Sequence, residues 1–74
     1  MNISKIVGLH LKEARKQKGL TQTQVANIFN MTQQQYSRFE NGVFELNYQQ
    51  ILDVCKLFEI TPNELLIVDS KIIC

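Results

Sequence analysis

Three observations on this 74-residue chain predict an all-α fold of five short helices. Apolar residues recur every three or four positions, and no strand-like alternation persists anywhere. Thr21, Thr32, Asn47 and Thr61 each stand just before such a run, where a side-chain oxygen can cap exposed backbone N–H groups. Gly19, Asn30 and Gly42 follow the first three runs, and Gly and Asn tolerate the left-handed conformation that closes a helix.

The first helix carries Ile3, Val7, Leu11 and Ala14 on one stripe, and its polar end Lys16-Gln17-Lys18 leads into Gly19. Behind Thr21 a second helix runs from Gln22 to about Phe29, with Val25, Ala26 and Phe29 inward. Behind Thr32 a third runs from Gln33 to about Asn41, with Tyr36 and Phe39 inward. After the loop Val43 to Leu46, Asn47 caps a fourth helix whose Ile51, Val54, Cys55 and Phe58 form an i, i+3, i+4, i+7 stripe. Thr61-Pro62 starts the fifth, with proline at the first helical position, where its missing N–H costs nothing. Glu64 completes a capping box with Thr61 ahead of Leu65-Leu66-Ile67. Residues 1–68 read as one domain and 69–74 as a tail, in which Ile72 and Ile73 are unexpectedly apolar.

Composition narrows the function classes. A hydrophobic content of 45% supports a packed core, although a chain this short buries only about 60% of its unfolded surface. Cys55 and Cys74 are too few for a disulfide framework, and with His10 alone beside them they supply no zinc ligand set; no metal or cofactor is expected. Ser4, Lys5, Gly8 and His10 interrupt the apolar N-terminal stretch, which rules against a signal peptide, and no run approaches the roughly 20 apolar residues of a membrane span. A cytoplasmic protein with no membrane partner is expected. No paired carboxylates, glycine-rich loop or nucleophile–base arrangement stands out, so no catalytic residues are assigned and an enzyme is not expected. The net charge of +1 is unevenly spread. Residues 1–42 carry six basic and two acidic side chains, and residues 43–74 carry two basic and five acidic. One half can face a polyanion while the other faces solvent or a partner.

The segment Gln22 to Glu40 is the most specific part of the sequence. With Gln22 as its first position, Val25, Phe29, Met31, Tyr36 and Phe39 fall at the five apolar positions that two helices crossing over a short turn need for a shared core. Ala26 is small where the helices approach, and Asn30 sits where the turn is sharpest. That pattern is a helix-turn-helix.

The chain resembles the lambdoid phage repressor and Cro family, the xenobiotic-response-element group of helix-turn-helix proteins. The resemblance runs from Val7-Gly8 to Leu65-Leu66. It rests on Leu11-Lys12-Glu13-Ala14-Arg15, Gly19-Leu20-Thr21-Gln22, Val25-Ala26, Thr32-Gln33-Gln34-Gln35, Phe39-Glu40-Asn41-Gly42 and Ile60-Thr61-Pro62-Asn63-Glu64-Leu65. It implies a five-helix repressor-like fold, double-stranded DNA as partner, and a recognition helix from Gln33 to Asn41 lying in the major groove. With Tyr36 and Phe39 inward, Gln33, Gln34, Ser37 and Arg38 fall on the opposite face and become the expected base contacts. Gln pairs with adenine N6/N7 and Arg with guanine O6/N7. Gln35 is read as a weaker candidate that points along the backbone. Thr21 and Gln22, at the start of the second helix, are the expected phosphate contacts, with Asn41 a second site. Lys16 and Lys18 are read either as distant attraction or as solvated charge. By resemblance Arg15 and Glu40 form a structural ion pair, against a competing reading of Arg15 on a phosphate.

Two features depart from the family pattern. The loop Val43-Phe44-Glu45-Leu46 lacks the basic residue and the proline often found there. Glu45 would repel phosphate, and Phe44 either anchors a partner or folds inward. One recognition helix reads few base pairs, so a homodimer on a palindromic operator is expected, with Leu66, Ile67, Val68, Ile72 and Ile73 as interface candidates. No effector-sensing domain is evident, so no small-molecule effector is expected. The functional expectation is a dimeric repressor. The alternative is a protein-interaction module of the same fold, such as a toxin-binding antitoxin with weak DNA affinity.

Overall fold

The computed structural model describes residues 2–66. Five helices follow one another: α1 (Ile3–Gln17), α2 (Gln22–Ile28), α3 (Gln33–Glu40), α4 (Tyr48–Phe58) and α5 (Pro62–Leu66). Among the described residues there is no strand, and no helix is long and apolar enough to cross a membrane. The expected interface residues Ile67, Val68, Ile72 and Ile73, and the tail 69–74, lie outside the described residues.

Each helix boundary has a local cause. Thr21, Thr32 and Asn47 accept the N–H three residues on, while Gln24, Gln35 and Gln50 reach back to the capping residue's own N–H. Thr61 and Glu64 exchange the same pair of bonds before α5. The closures are equally regular. Gly19, Asn30, Gly42 and Glu59 all have positive φ, between 56° and 77°. Leu20, Met31, Val43 and Ile60 then donate to the carbonyls of Arg15, Ala26, Arg38 and Cys55, which satisfies carbonyls the helix would otherwise leave orphaned. Glycine and asparagine adopt this conformation readily. Glu59 does not, and nothing in its type signalled that α4 would stop there.

The core gathers Leu11, Val25, Tyr36, Val54, Phe58 and Leu65, with Leu11, Val25 and Leu65 fully buried. Helix α1 packs against α3, α4 and α5, and α2 leans on α3. Gly8 permits the α1–α3 contact, since a Cβ there would lie 2.2 Å from the Glu40 carbonyl oxygen. Gly42 is equally confined, with a Cβ meeting the Lys5 backbone at 2.7 Å. The expected α1 stripe is only partly inward. Leu11 and Ala14 are buried and Val7 is half-buried, but Ile3 is 59% exposed, because the first turn of α1 overhangs an apolar groove lined by Phe44, Leu46, Ile51 and Leu66.

Candidate nucleic-acid interface

The turn between α2 and α3 closes on Asn30, so the two helices meet over Phe29 to Thr32. Tyr36 and Phe39 anchor α3 in the core, which leaves Gln33, Gln34 and Arg38 exposed and Ser37 half-buried. Residues 33, 34, 37 and 38 share one face because they lie three and four apart on a helix. Thr21 and Gln22, at the start of α2, border that face through Gln22.

A chain of hydrogen bonds runs inward from it. The Gln33 amide donates to Gln22 Oε1 (2.6 Å), and Gln22 Nε2 donates to Glu40 Oε1 (3.1 Å). Arg15 closes the chain by donating through Nε to Glu40 Oε2 (2.7 Å) and through a terminal nitrogen to Oε1 (3.2 Å); its other terminal nitrogen donates to the Leu20 carbonyl. Both ionic partners are buried, so the Arg15 guanidinium is committed to the interior. Burial by itself pushes the Glu40 carboxyl up. The bonded Arg15 guanidinium foremost, with the nearby Tyr36 hydroxyl and Gln22 amide adding to it, outweighs burial and holds the carboxyl below the usual carboxylate range. The Tyr36 hydroxyl is buried near this pair and finds no hydrogen-bond partner among the described residues; burial raises its pKa far above that of an ordinary phenol.

The carboxylate sets the polarity of this chain. Glu40 accepts only, so Gln22 must turn its NH₂ inward and its carbonyl toward Gln33, and Gln33 must present its NH₂ to Gln22. The exposed Gln33 therefore keeps one N–H and its carbonyl oxygen without a partner among the described residues, and Gln22 keeps one N–H. The three consecutive glutamines thus have different tasks. Gln33 is oriented through Gln22, Gln34 is exposed and makes no side-chain hydrogen bond among the described residues, and Gln35 accepts the Thr32 N–H (3.1 Å) as part of the α3 cap. Asn41 donates to Ser37 Oγ (3.3 Å). Thr21 Oγ1 accepts the Gln24 N–H (3.1 Å), leaving its hydroxyl proton free.

The remaining charges are distributed around this face. Lys18 is paired with Glu59 (2.7 Å), joining the end of α1 to the end of α4, and Lys16 is exposed. Arg38 lies over the Phe44 ring, its guanidinium carbon 5.4 Å from the centroid. Phe44 itself is 40% exposed and packs edge-on against Phe39, so it folds partly inward. Sequence reasoning missed three features: the tight fit at Gly8, the Gln33–Gln22–Glu40 chain and the seating of Arg38 over Phe44. The first two depend on residues brought together from different helices, and spacing within one helix carries no signal of them. For Phe44, an aromatic residue six positions after an exposed arginine was visible, but the turn that folds it back was not.

A family model described as "Helix-turn-helix" matches residues 11–65, most of the chain. The DNA-binding domain of BldD from S. venezulae superposes with a TM-score of 0.77 at 20% identity, covering 90% of this chain and 100% of that domain, a likeness of fold. No curated protein matches by sequence.

Proposed function

The chain belongs to the helix-turn-helix family of the xenobiotic-response-element kind, and from that premise we propose that it binds double-stranded DNA sequence-specifically as a small dimeric transcriptional regulator, a repressor reading a palindromic operator through α3. The observation that carries this reading is the exposed amide of Gln33, which keeps one donor and one acceptor unpaired among the described residues while Gln22 ties it to the buried Glu40. That pair complements the N7 acceptor and N6 donor of adenine in the major groove. Gln34, Ser37 and Arg38 extend the reading surface along the same face, with Arg38 suited to guanine O6/N7.

Phosphate contacts then come from Thr21, Gln22 and Asn41 at the two ends of the reading surface. The free hydroxyl proton of Thr21 and the remaining N–H of Gln22 supply neutral donors, which fix register on the duplex without carrying sequence information. Arg15 and Glu40 act structurally, fastening α1 to the end of α3. The apolar residues Leu66, Ile67, Val68, Ile72 and Ile73 form the dimer contact, of which Leu66 is exposed at the end of α5. Repression needs only that an occupied operator block another protein's access to the same duplex.

Selection of the purified protein on random duplex DNA, with the bound pool sequenced, tests this reading. The expected result is an enriched palindrome with half-sites one helical turn apart, about 10 base pairs. A pool that stays random at low salt would overturn DNA recognition and favour a protein partner.

A further inference from the structure

The loop after α3 folds back on the helix it leaves. The backbone N–H groups of Val43 and Phe44 both donate to the Arg38 carbonyl, at 2.9 and 3.3 Å. The Phe44 ring is thereby returned to the residue whose carbonyl its backbone bonds, and the Arg38 guanidinium carbon stands 5.4 Å from its centroid. The ring is fixed in turn by an edge-on contact with Phe39, centroids 5.7 Å apart and planes at 67°. Phe39 belongs to the buried core. A chain of contacts therefore runs from the core through two aromatic rings to an exposed cation on the proposed reading face.

A guanidinium held over an aromatic face is attracted by the ring and loses rotamer freedom, while the N–H donors that do not point at the ring stay available. Those donors match the two acceptors of guanine in the major groove. An unsupported arginine on a helix surface samples many rotamers and reaches phosphates as easily as bases. One held over a fixed ring is restricted to few.

We propose that Phe44 is a positioning residue for base recognition, holding the Arg38 guanidinium so that it reads one guanine of each half-site. The inference rests on the reading of Arg38 as a base contact. It also gives this loop a task without a phosphate-binding cation, since the loop shapes a contact made by α3.

The test is random-duplex selection with wild type, R38A, F44L, F44Y and the double variant R38A/F44L, each checked for an unchanged fold by its thermal transition. R38A should lower the preference for guanine at one position of the half-site by about 5- to 150-fold, the value of one bidentate pair. F44L should lower it at that same position by about two- to fivefold, the value of an exposed cation–aromatic contact, and leave other positions unchanged. F44Y, which keeps the ring, should retain the preference, and F44L should add nothing in the R38A background. If R38A leaves every preference intact, the assignment of Arg38 fails and the inference falls with it. If R38A relaxes one position while F44L does not, or F44L relaxes all positions equally, Arg38 reads DNA without Phe44 and the inference alone is overturned.

Discussion

At the level of single residues, the pair Arg15–Glu40 ties the interior, through Gln22 and Gln33, to the face of α3 proposed to read DNA. Arg15→Ala leaves a buried carboxylate without its partner and should cost about 3–5 kcal/mol, seen as a lower denaturation midpoint. Because the folded-state pKa of Glu40 lies below the ordinary value of 4.5, its contribution is complete above that value and is lost as pH falls through the lowered one. The stability gap between wild type and Glu40→Gln should therefore be full at neutral pH and narrow in acid; a gap independent of pH would contradict the charged state of Glu40. Gly8→Ala should destabilise by about 1–3 kcal/mol or more, because the added methyl overlaps the backbone of α3. Leu9→Ala, at an exposed neighbour, should shift stability by less than about 0.5 kcal/mol. That Gln33, Gln34, Ser37 and Arg38 lie together on the open side of α3 was legible in the sequence, since Tyr36 and Phe39 fix which side is free. Their division of labour was not. Whether a glutamine caps its own helix, bonds a neighbouring one or stays unpaired depends on what lies within reach, and among the described residues Gln35, Gln33 and Gln34 do one each.

At the level of elements, the sequence was easiest to read where a boundary has a chemical cause. The left-handed closures at Gly19, Asn30 and Gly42 and the caps at Thr21, Thr32, Asn47 and Thr61 are residue-specific, so they place four helix starts and three ends. The Gln residues three positions after Thr21, Thr32 and Asn47 complete capping boxes like that of Thr61 and Glu64, whereas nothing about Glu59 marks the end of α4. The turn between α2 and α3 sets the angle at which α3 is presented, and its sharpest point is Asn30 with φ of 56°. Asn30→Gly should keep both stability and DNA binding. Asn30→Val forces a β-branched residue into the left-handed region and should destabilise by about 1–3 kcal/mol. Equal melting temperatures for the two variants would show that the turn does not depend on this conformation.

On the scale of the whole molecule, the positive charge gathers in residues 1–42, the half that includes α1, α2 and α3, while the proposed phosphate contacts Thr21, Gln22 and Asn41 are neutral. Affinity for a selected duplex should fall with salt, yet by less than the roughly thousandfold loss between about 50 and 200 mM expected of six to ten cationic phosphate contacts. A steeper loss would mean that Lys12, Lys16 or another cation touches the backbone. Dimerisation belongs to this scale too: Leu66→Asp should shift the sedimentation equilibrium toward monomer and weaken binding to a palindrome more than to a half-site.

The most direct test of the central claim is a titration of isotope-labelled protein with the selected duplex, followed residue by residue through amide and side-chain resonances. The largest changes are expected on Thr21 and Gln22 and on the side chains of Gln33, Gln34, Ser37 and Arg38, with Asn41 at their edge. Changes centred instead on the exposed side of α4, at Tyr48 and Leu52, with α3 undisturbed, would contradict it.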